Sequence, residues 1–451
     1  MIDIGTAQRQ VLDEIQLMGI ERVHILDALG RTLARDMQAK MDVPLGDNSS
    51  MDGFACKSED VAGATSCNPA TLTVIGESAA GRPFTGIINR GEAVQIMTGA
   101  LIPRGADMVI KVEDTRLEAD HVTCFLNPGK GSYIRLQGED VKAGATTLRR
   151  GQLVKPAHVG MMATMGYAHA YVFQRPTVAV LSTGNELVDL NEPLCQGKVI
   201  SSNTYSLAAQ IMDCGAVPLS LGIAGDSAQD QIQKLRVGLK ADAIVTSGGV
   251  SVGKYDMVKG ALLELGMSLK FWKVAMRPGK PLVFGTIDSK PIFGLPGNPT
   301  SAMVSFELFT RPALLKMMGR ENIFRPTIEC RLAEEIPSEP GRLHLIRCKL
   351  THQDGEIIAL STGTQSSGVL SSMTMADGLI ILPPVREGFP KGFRVKVLLL
   401  NSDGAMTAES VFWSNKLLPS DQCDQGLKFE IGYFHEKMAE QARISAVSGR
   451  H

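Results

Sequence analysis

Ser247-Gly248-Gly249-Val250-Ser251-Val252-Gly253-Lys254-Tyr255-Asp256 is the stretch whose reading decides the fold of this 451-residue chain. Before it, Ala243-Ile244-Val245-Thr246 is a short apolar run that suits a buried parallel strand. After it, Met257 to Leu265 carries apolar residues at helical spacing. A strand therefore enters a glycine-dense loop and leaves it as a helix. Gly248, Gly249 and Gly253 let the backbone turn tightly and approach a ligand, and Ser247 and Ser251 add hydroxyls. The loop N–H groups are suited to an anion nest. Asp256 stands at or just before the helix start, where a carboxylate either caps the helix or reaches a metal bound to a ligand's phosphates. An ordinary strand-to-helix turn with a capping Asp fits this stretch equally well.

The surrounding pattern favours a site. From Thr177 the chain alternates strand and helix: strands at Val178–Leu181, Val217–Leu221, 243–246, Leu282–Phe284 and Ile292–Phe293, with helices at Leu207–Met212, Ala228–Leu239 and from Pro299 through Leu315. Such alternation implies a parallel sheet, and ligands of such sheets bind beyond the carboxyl ends of the strands. Four polar, glycine-bearing loops fall at that edge, at 182–186, 222–226, 247–256 and 294–299. They bring Glu186, Asp226 and Asp256 toward one place, which independent turns rarely do. Met276-Arg277-Pro278-Gly279-Lys280-Pro281 adds two cations around a stiff turn. That turn is either simply solvated or an oxyanion clamp, since Arg and Lys complement phosphate-like groups. Carboxylates for a divalent cation beside cations for oxyanions describe a site for phosphoanhydride chemistry.

The first 174 residues read differently. Residues 5 to 40 have a helical pattern at Ala7, Val11, Ile15 and Met18, a break at Gly19, and a second amphipathic stretch at 22–36 that reads as more helix. MDVPLGDNSSMDGFAC, at 41–56, is a dense turn in which Met51, Phe54 and Ala55 imply packing, so that Asp47 and Asp52 are fixed carboxylates. Residues 70–126 are strand-like, with runs at 71–75, 93–97, 108–112 and 121–125. Residues 138–166 return to loop and helix, which suggests a β segment inserted into the first domain. Residues 326–400 read as a small β-barrel, 433–444 as a further helix, and the last residues as a disordered end.

Composition excludes several classes. The formal net charge of -1 advertises no basic face for nucleic acid. The eight cysteines show no metal-binding spacing and read as reduced structural residues. The N-terminal residues lack a signal-peptide pattern, and no apolar run reaches bilayer length, so the expected setting is cytoplasmic with no membrane partner.

Seven stretches together resemble the molybdopterin molybdenumtransferases, the MoeA and gephyrin E-domain family. They are DNSSMDGFA (47–55), MTGALIPRGAD (97–107), GEDVKAG (138–144), STGNEL (182–187), SGGVSVGKYD (247–256), MRPGKP (276–281) and GLPGNP (294–299). They stand in the family's order and span roughly the first 400 residues. The resemblance implies an α/β plus β multidomain fold: an elongated helical domain (1–42 and 138–174) with an inserted β domain (43–137), a parallel α/β molybdopterin-binding domain (175–322) and a C-terminal β-barrel (323–400). Residues 401–451 have no counterpart in it. It further implies a homodimer that takes adenylylated molybdopterin and molybdate, inserts the metal, and releases AMP with the aid of Mg²⁺. The pathway's adenylyltransferase and downstream molybdoenzymes are further partners expected on that basis.

By motif match, Asp52 and Thr98 come to the site from the partner subunit, while Glu186, Asp226 and Asp256 come from the α/β domain and hold the cation. Arg277 and Lys280 hold molybdate or phosphate, and Pro296 and Pro299 shape the pocket wall. Ser182, Thr183, Gly184, Ser247, Gly248, Gly249, Ser251, Gly253 and Asn298 complete the substrate contacts. Leu101, in place of a proline, and Ser201-Ser202-Asn203, without an acidic residue, depart from the family pattern. An adenylyltransferase of the same pathway would resemble the α/β domain alone. A non-catalytic scaffold of the gephyrin type would want a long linker and a fused second domain, and a dead ligand carrier would lack acidic positions that are filled here.

Overall fold

Ala243–Ser247 is a strand with every residue buried, and it lies in the middle of a six-stranded sheet. The computed structural model describes residues 1–249, 257–353 and 355–400. Two compact units divide the chain, Met1–Phe324 and a second beginning at Arg325.

In the first unit the chain opens with helix α1 (Ile4–Asp13), whose first turn is capped by Asp3 accepting from the Thr6 N–H at 2.9 Å. Strand β1 (Ile20–His24) follows. This corrects the helical reading of the stretch from 22: IERVH alternates exposed and half-buried positions and pairs antiparallel with β8 (His169–Phe173). Residues 25–30, directly after it, are turns. Pairing with a distant strand supplies the backbone hydrogen bonds that a second helix would otherwise have made, so the period-2 pattern of a short segment outweighs its helical look. Among the described residues before 175, only α1 and α2 (Pro156–Thr164) are α-helices.

Between β1 and β8 runs another six-stranded sheet. Its strands are β2 (Gly53–Cys56), β3 (Ala70–Ser78), β4 (Glu92–Ile96), β5 (Met108–Lys111), β6 (Thr115–Glu118) and β7 (His121–Cys124), in the order β5-β2-β4-β3-β7-β6. The 41–56 stretch is thus turn and loop only as far as Asp52, broken by the short strand Asn48–Ser49, which pairs with Ile134–Arg135. Phe54, Ala55 and Cys56 are central-strand residues, which explains the apolar letters among the polar ones.

The sheet around Ala243–Ser247 positions the site. It contains β9 (Thr177–Thr183), β12 (Val217–Ala224), β13 (Ala243–Ser247), β14 (Ser268–Trp272), β15 (Val283–Ile287) and β16 (Lys290–Leu295), in the order β12-β9-β13-β16-β15-β14. A short parallel pair, β10 (Leu187–Val188) and β11 (Val199–Ile200), lies outside it. The four strands β12, β9, β13 and β16 are parallel, whereas β15 runs antiparallel to both its neighbours, β16 and β14. The parallel reading holds for those four strands and is corrected at the edge by one turn. Only Asp288 and Ser289 separate β15 from β16, both at positive φ (48° and 64°), and a two-residue turn of this kind makes a hairpin and leaves no room for a crossover.

Helices α3 (Ser202–Asp213), α4 (Ala228–Gly238), α5 (Val258–Glu264) and α6 (Pro299–Ser305) cover this sheet, α3 packing with α6 and α4 with α5. Ala179, Leu181, Ile244 and Ile292 meet Leu235 and Leu262 in one core. Each such fully buried aliphatic side chain larger than alanine contributes roughly 1.5–3 kcal/mol. That burial on both faces is why the strands read as continuous apolar runs.

In the second unit β17 (Thr327–Leu332), β18 (Leu343–Gln353), β19 (Glu356–Ser361), β20 (Gly378–Leu382) and β21 (Arg394–Leu399) pair in the order β18-β19-β17-β21-β20, and β20 returns to β18. The result is a closed five-stranded barrel around Leu332, Cys348, Leu382 and Val397. Residues 401–451, with the helix expected at 433–444, lie outside the described residues. Among the described residues no helix is long and apolar enough to cross a membrane.

Candidate active site

The parallel strands β9, β12, β13 and β16 end at Thr183, Ala224, Ser247 and Leu295, so the loops that follow share one edge. A cavity of about 700 Å³ opens there. Thr183, Gly184 and Glu186 reach it from the first loop, Asp226 from the second, Ser247, Gly248 and Gly249 from the third, and Pro296, Asn298 and Pro299 from the fourth. The edge convergence expected from sequence is therefore present for Glu186 and Asp226. Asp256, Ser251 and Gly253 lie outside the described residues.

Backbone geometry shapes this wall. Gly248 and Gly249 take φ values of 91° and 66°. A Cβ at Gly248 would stand 2.7 Å from the Thr183 carbonyl oxygen, and one at Gly249 would collide with Val258 Cγ2. Only glycine combines that conformation with that closeness. The Gly248 N–H donates to the Leu295 carbonyl at 3.1 Å, which ties the turn to the end of β16. At Gly184, a Cβ would collide with the Glu186 carboxylate. That carboxylate is thus folded against the Gly184 backbone at the cavity rim, where Glu186 is exposed.

Two amides that the sequence reading did not place among the site residues hold the loops together. Asp226 N–H donates to Asn185 Oδ1 at 3.0 Å, and Asn185 N–H donates to Asp226 Oδ2 at 3.4 Å. Asn203, on the first turn of α3, lines the cavity and donates through Nδ2 to Ser247 Oγ and to the Gly297 carbonyl, both at 2.7 Å. Among the described residues its Oδ1 is buried without a hydrogen-bond partner. The signal for Asn185 is its place inside STGNEL. The signal for Asn203 is the polar run at 201–203, which in sequence stands out only as a departure from the family pattern.

Other expected residues sit elsewhere. Ser182 is fully buried and is not on the cavity wall; its hydroxyl shares a 2.8 Å hydrogen bond with Thr204 Oγ1, tying β9 to α3. Arg277 and Lys280 are exposed on the 276–281 turn, which reaches the wall through Pro281 and not through either cation. Asp52 and Thr98 pair with each other away from this cavity. Asp52 Oδ1 accepts from Thr98 N–H at 2.7 Å and from Thr98 Oγ1 at 2.8 Å. The backbone donor first, and the hydroxyl second, hold the Asp52 carboxyl below its ordinary pKa.

Among the described residues no three acidic, His or Cys side chains converge as a metal cage. Glu186 and Asp226 nevertheless supply two carboxylates to one cavity. That donor set suits Mg²⁺, which uses one or two carboxylates with waters and substrate phosphates in place of an all-protein cage.

Fold and site define a class: an α/β protein whose ligand cavity, edged by a glycine turn and acidic loops, opens at the carboxyl ends of the parallel strands. Comparison with known proteins narrows it. Family models described as MoeA N-terminal region (domain I and II), "Probable molybdopterin binding domain" and MoeA C-terminal region (domain IV) match residues 2–166, 179–316 and 329–400. Molybdopterin molybdenumtransferase 2 of Mycobacterium tuberculosis is 39% identical over 85% of this chain and 96% of its own length. Molybdopterin molybdenumtransferase of Bacillus subtilis is 34% identical over 89% and 95%. The crystal structure of the molybdopterin biosynthesis moeA protein from Pyrococcus horikoshii superposes with a TM-score of 0.77 at 29% identity, covering 88% of this chain and 100% of that one. The chain belongs to the MoeA family of molybdopterin molybdenumtransferases.

Proposed function

We propose that this chain acts in molybdenum cofactor biosynthesis, inserting molybdate into adenylylated molybdopterin with release of AMP, with Mg²⁺ as the cation and a homodimer as the working unit. The observation that carries the reading is the single cavity onto which the Gly248-Gly249 turn, Glu186 and Asp226 all open. The relatives' names point to the same transferase chemistry.

In this reading the pterin occupies the cavity, and the phosphoanhydride lies along the Gly248-Gly249 turn, whose lack of side chains lets it approach the backbone. Glu186 and Asp226, with Asp256 as the expected third carboxylate, would hold Mg²⁺. That ion supplies charge neutralisation to the phosphates when bound. Asn185 fixes the Asp226 backbone and carboxylate. Asn203 holds Ser247 and Gly297 at a set distance, so the wall keeps its shape as ligand enters. Arg277 and Lys280 serve the oxyanion from the neighbouring turn. Asp52 and Thr98, already preorganised on each other, are assigned to the site of a second subunit, because in one chain they do not line this cavity.

The test is to incubate the protein with adenylylated molybdopterin, Mg²⁺ and molybdate or tungstate, and to measure AMP. Oxyanion- and Mg²⁺-dependent release is expected. A folded protein that releases no AMP above the blank would overturn the reading. A monomer in solution at full activity would overturn the shared site.

A further inference from the structure

We propose that Asp42 and Asp47 are positioning residues for the reaction: they staple the two-strand neck of the inserted β domain and thereby set where its Asp52–Thr98 pair stands. The inference rests on the shared site proposed above, to which Asp52 and Thr98 are assigned from a second subunit.

Among the described residues the inserted six-stranded sheet pairs with no strand outside itself. The chain enters it along residues 37–52 and leaves it along 132–148. Antiparallel pairing closes both ends of this ribbon: Met37–Gln38 with Thr146–Leu148 at the base, and Asn48–Ser49 with Ile134–Arg135 at the top. Between them Val43 and Val141 exchange backbone hydrogen bonds, at 2.7 Å and 3.1 Å. Two carboxylates complete the ladder. Asp42 Oδ1 accepts from the Ala143 N–H at 2.7 Å and its Oδ2 from Gln137 Nε2 at 2.8 Å. Asp47 Oδ1 accepts from the Gln137 N–H at 2.8 Å. Gly138, at a φ of 69°, leaves room for this, since a Cβ there would stand 3.3 Å from Asp42 Oδ1. The Ala143 N–H first, and the Gln137 amide second, hold the Asp42 carboxyl below its ordinary pKa, which keeps it an acceptor on both oxygens at neutral pH.

The neck is bonded directly to the pair it places. The Asp47 carbonyl accepts from the Ile102 N–H at 3.0 Å, the Ser49 N–H donates to the Ala100 carbonyl at 2.9 Å, and the Gly99 N–H donates to the Ser49 carbonyl at 2.8 Å. Thr98 adjoins Gly99, and Asp52 follows shortly after Ser49. A tilt of the ribbon therefore carries Asp52 and Thr98 as one body, with their own hydrogen bonds unchanged. Neither Asp47 nor any residue of the 138–144 stretch lines the sheet-edge cavity, so a direct part in that wall does not account for them. Misplacing a reacting group by about 1 Å costs on the order of 100-fold in rate, whereas single hydrogen bonds at a solvated neck add little to overall stability.

The experiment measures AMP release from adenylylated molybdopterin by the full chain with Mg²⁺ and molybdate. Asp42→Ala and Asp47→Ala should each lower kcat about 10- to 100-fold with KM unchanged, because the cavity itself is intact. Asp42→Asn and Asp47→Asn should stay near the parental rate. Each keeps an oxygen as acceptor, and Gln137 can turn its carboxamide to meet the new amide at position 42. Gln137→Ala removes only the Nε2 bond; it should fall between, and it carries the test should an alanine variant at 42 or 47 fail to fold. Asparagine variants as slow as the alanine ones would mean that the charge itself acts. A lower melting temperature with kcat unchanged would mean packing alone. Either result overturns the proposal. Co-expression of two defective chains then locates the defect. Asp42→Ala with Glu186→Ala should recover activity, because the cavity of the first chain meets the sound neck of the second in one site of a mixed dimer. Asp42→Ala with Asp52→Ala should not recover, and Asp52→Ala with Glu186→Ala is the control. Recovery in the control but not in Asp42→Ala with Glu186→Ala sinks only the neck assignment. A control that stays inactive sinks the shared site, and the proposal with it.

Discussion

Asn185 and Asp226 hold each other across two loops, each donating its backbone N–H to the other's side-chain oxygen. The Asn185 side-chain amide thus fixes the backbone that carries one proposed metal-holding carboxylate, while the carboxylate itself accepts from the Asn185 backbone N–H. Asn185→Ala should therefore behave as a partial Asp226 knock-out. A fall in AMP release of about 10- to 100-fold is expected, with about 1 kcal/mol of stability lost for the missing hydrogen bond. Asn185→Asp should be worse in activity, because it sets a second negative charge beside Asp226. Steady-state rates with a thermal melt on each variant check this, and a normal rate in Asn185→Ala would show that Asp226 needs no such support.

Gly184 and Glu186 are coupled more tightly. The carboxylate occupies the space a Gly184 side chain would take, and φ there is 147°. Gly184→Ala should lower stability by about 1–3 kcal/mol from backbone strain and push Glu186 out of place. Its loss of activity should match that of Glu186→Ala, and the double variant should be no slower than either single one. Additive losses would mean the two residues act separately.

Much of this was legible in the letters. The alternation after Thr177 located the sheet, and the glycine and acidic loops located its edge, because buried strands and ligand-approaching turns have strong local signatures. What stayed hidden depended on partners far away in sequence. Residues 20–24 form a strand because 169–173 lie beside them, with Arg22 opposite Tyr171, a contact that no local periodicity reveals. The antiparallel edge hung on Asp288-Ser289, a two-residue turn without the glycine that usually announces it. Ser182 looked like a ligand hydroxyl because its neighbours in STGNEL face the cavity. One position earlier on the strand the side chain points into the core, and Thr204 takes the hydroxyl.

The Asp52–Thr98 pair sets a pH expectation. Its two hydrogen bonds depress the Asp52 pKa below the ordinary aspartate value. A group with a depressed folded-state pKa contributes stability above its unfolded pKa and loses it as pH falls through the folded value. Asp52 is thus ionised throughout the neutral range, and no limb of a pH–rate profile between about pH 5 and 9 should belong to it. A carboxyl titration followed by NMR should give a midpoint under that of an unpaired aspartate. Thr98→Val, which keeps the backbone donor and removes the hydroxyl, should move it only part of the way back. A midpoint at or above the ordinary value would refute the pairing.

Arg347, in the barrel strand β18, is 1% exposed, and neutral oxygens surround its guanidinium. Its Nε donates to Ser372 Oγ at 3.0 Å and its Nη2 to the Ser366 carbonyl at 3.1 Å, while the Arg347 backbone N–H donates to Gln365 Oε1 at 2.9 Å. The guanidinium fork thereby pins the 363–372 segment to the barrel wall. Lysine offers a point charge in place of the fork, so Arg347→Lys would leave a buried cation with fewer acceptors in reach. Arg347→Met gives up the hydrogen bonds but buries no charge, and the desolvation cost of the cation disappears with it. Arg347→Met should therefore cost roughly 1–3 kcal/mol, and the chemically closer Arg347→Lys should cost more. Chemical denaturation of the full chain measures both, and hydrogen exchange should show the 363–372 amides opening first in either variant. A lysine variant as stable as the parent would mean that charge alone, and not the shape of the fork, holds the segment.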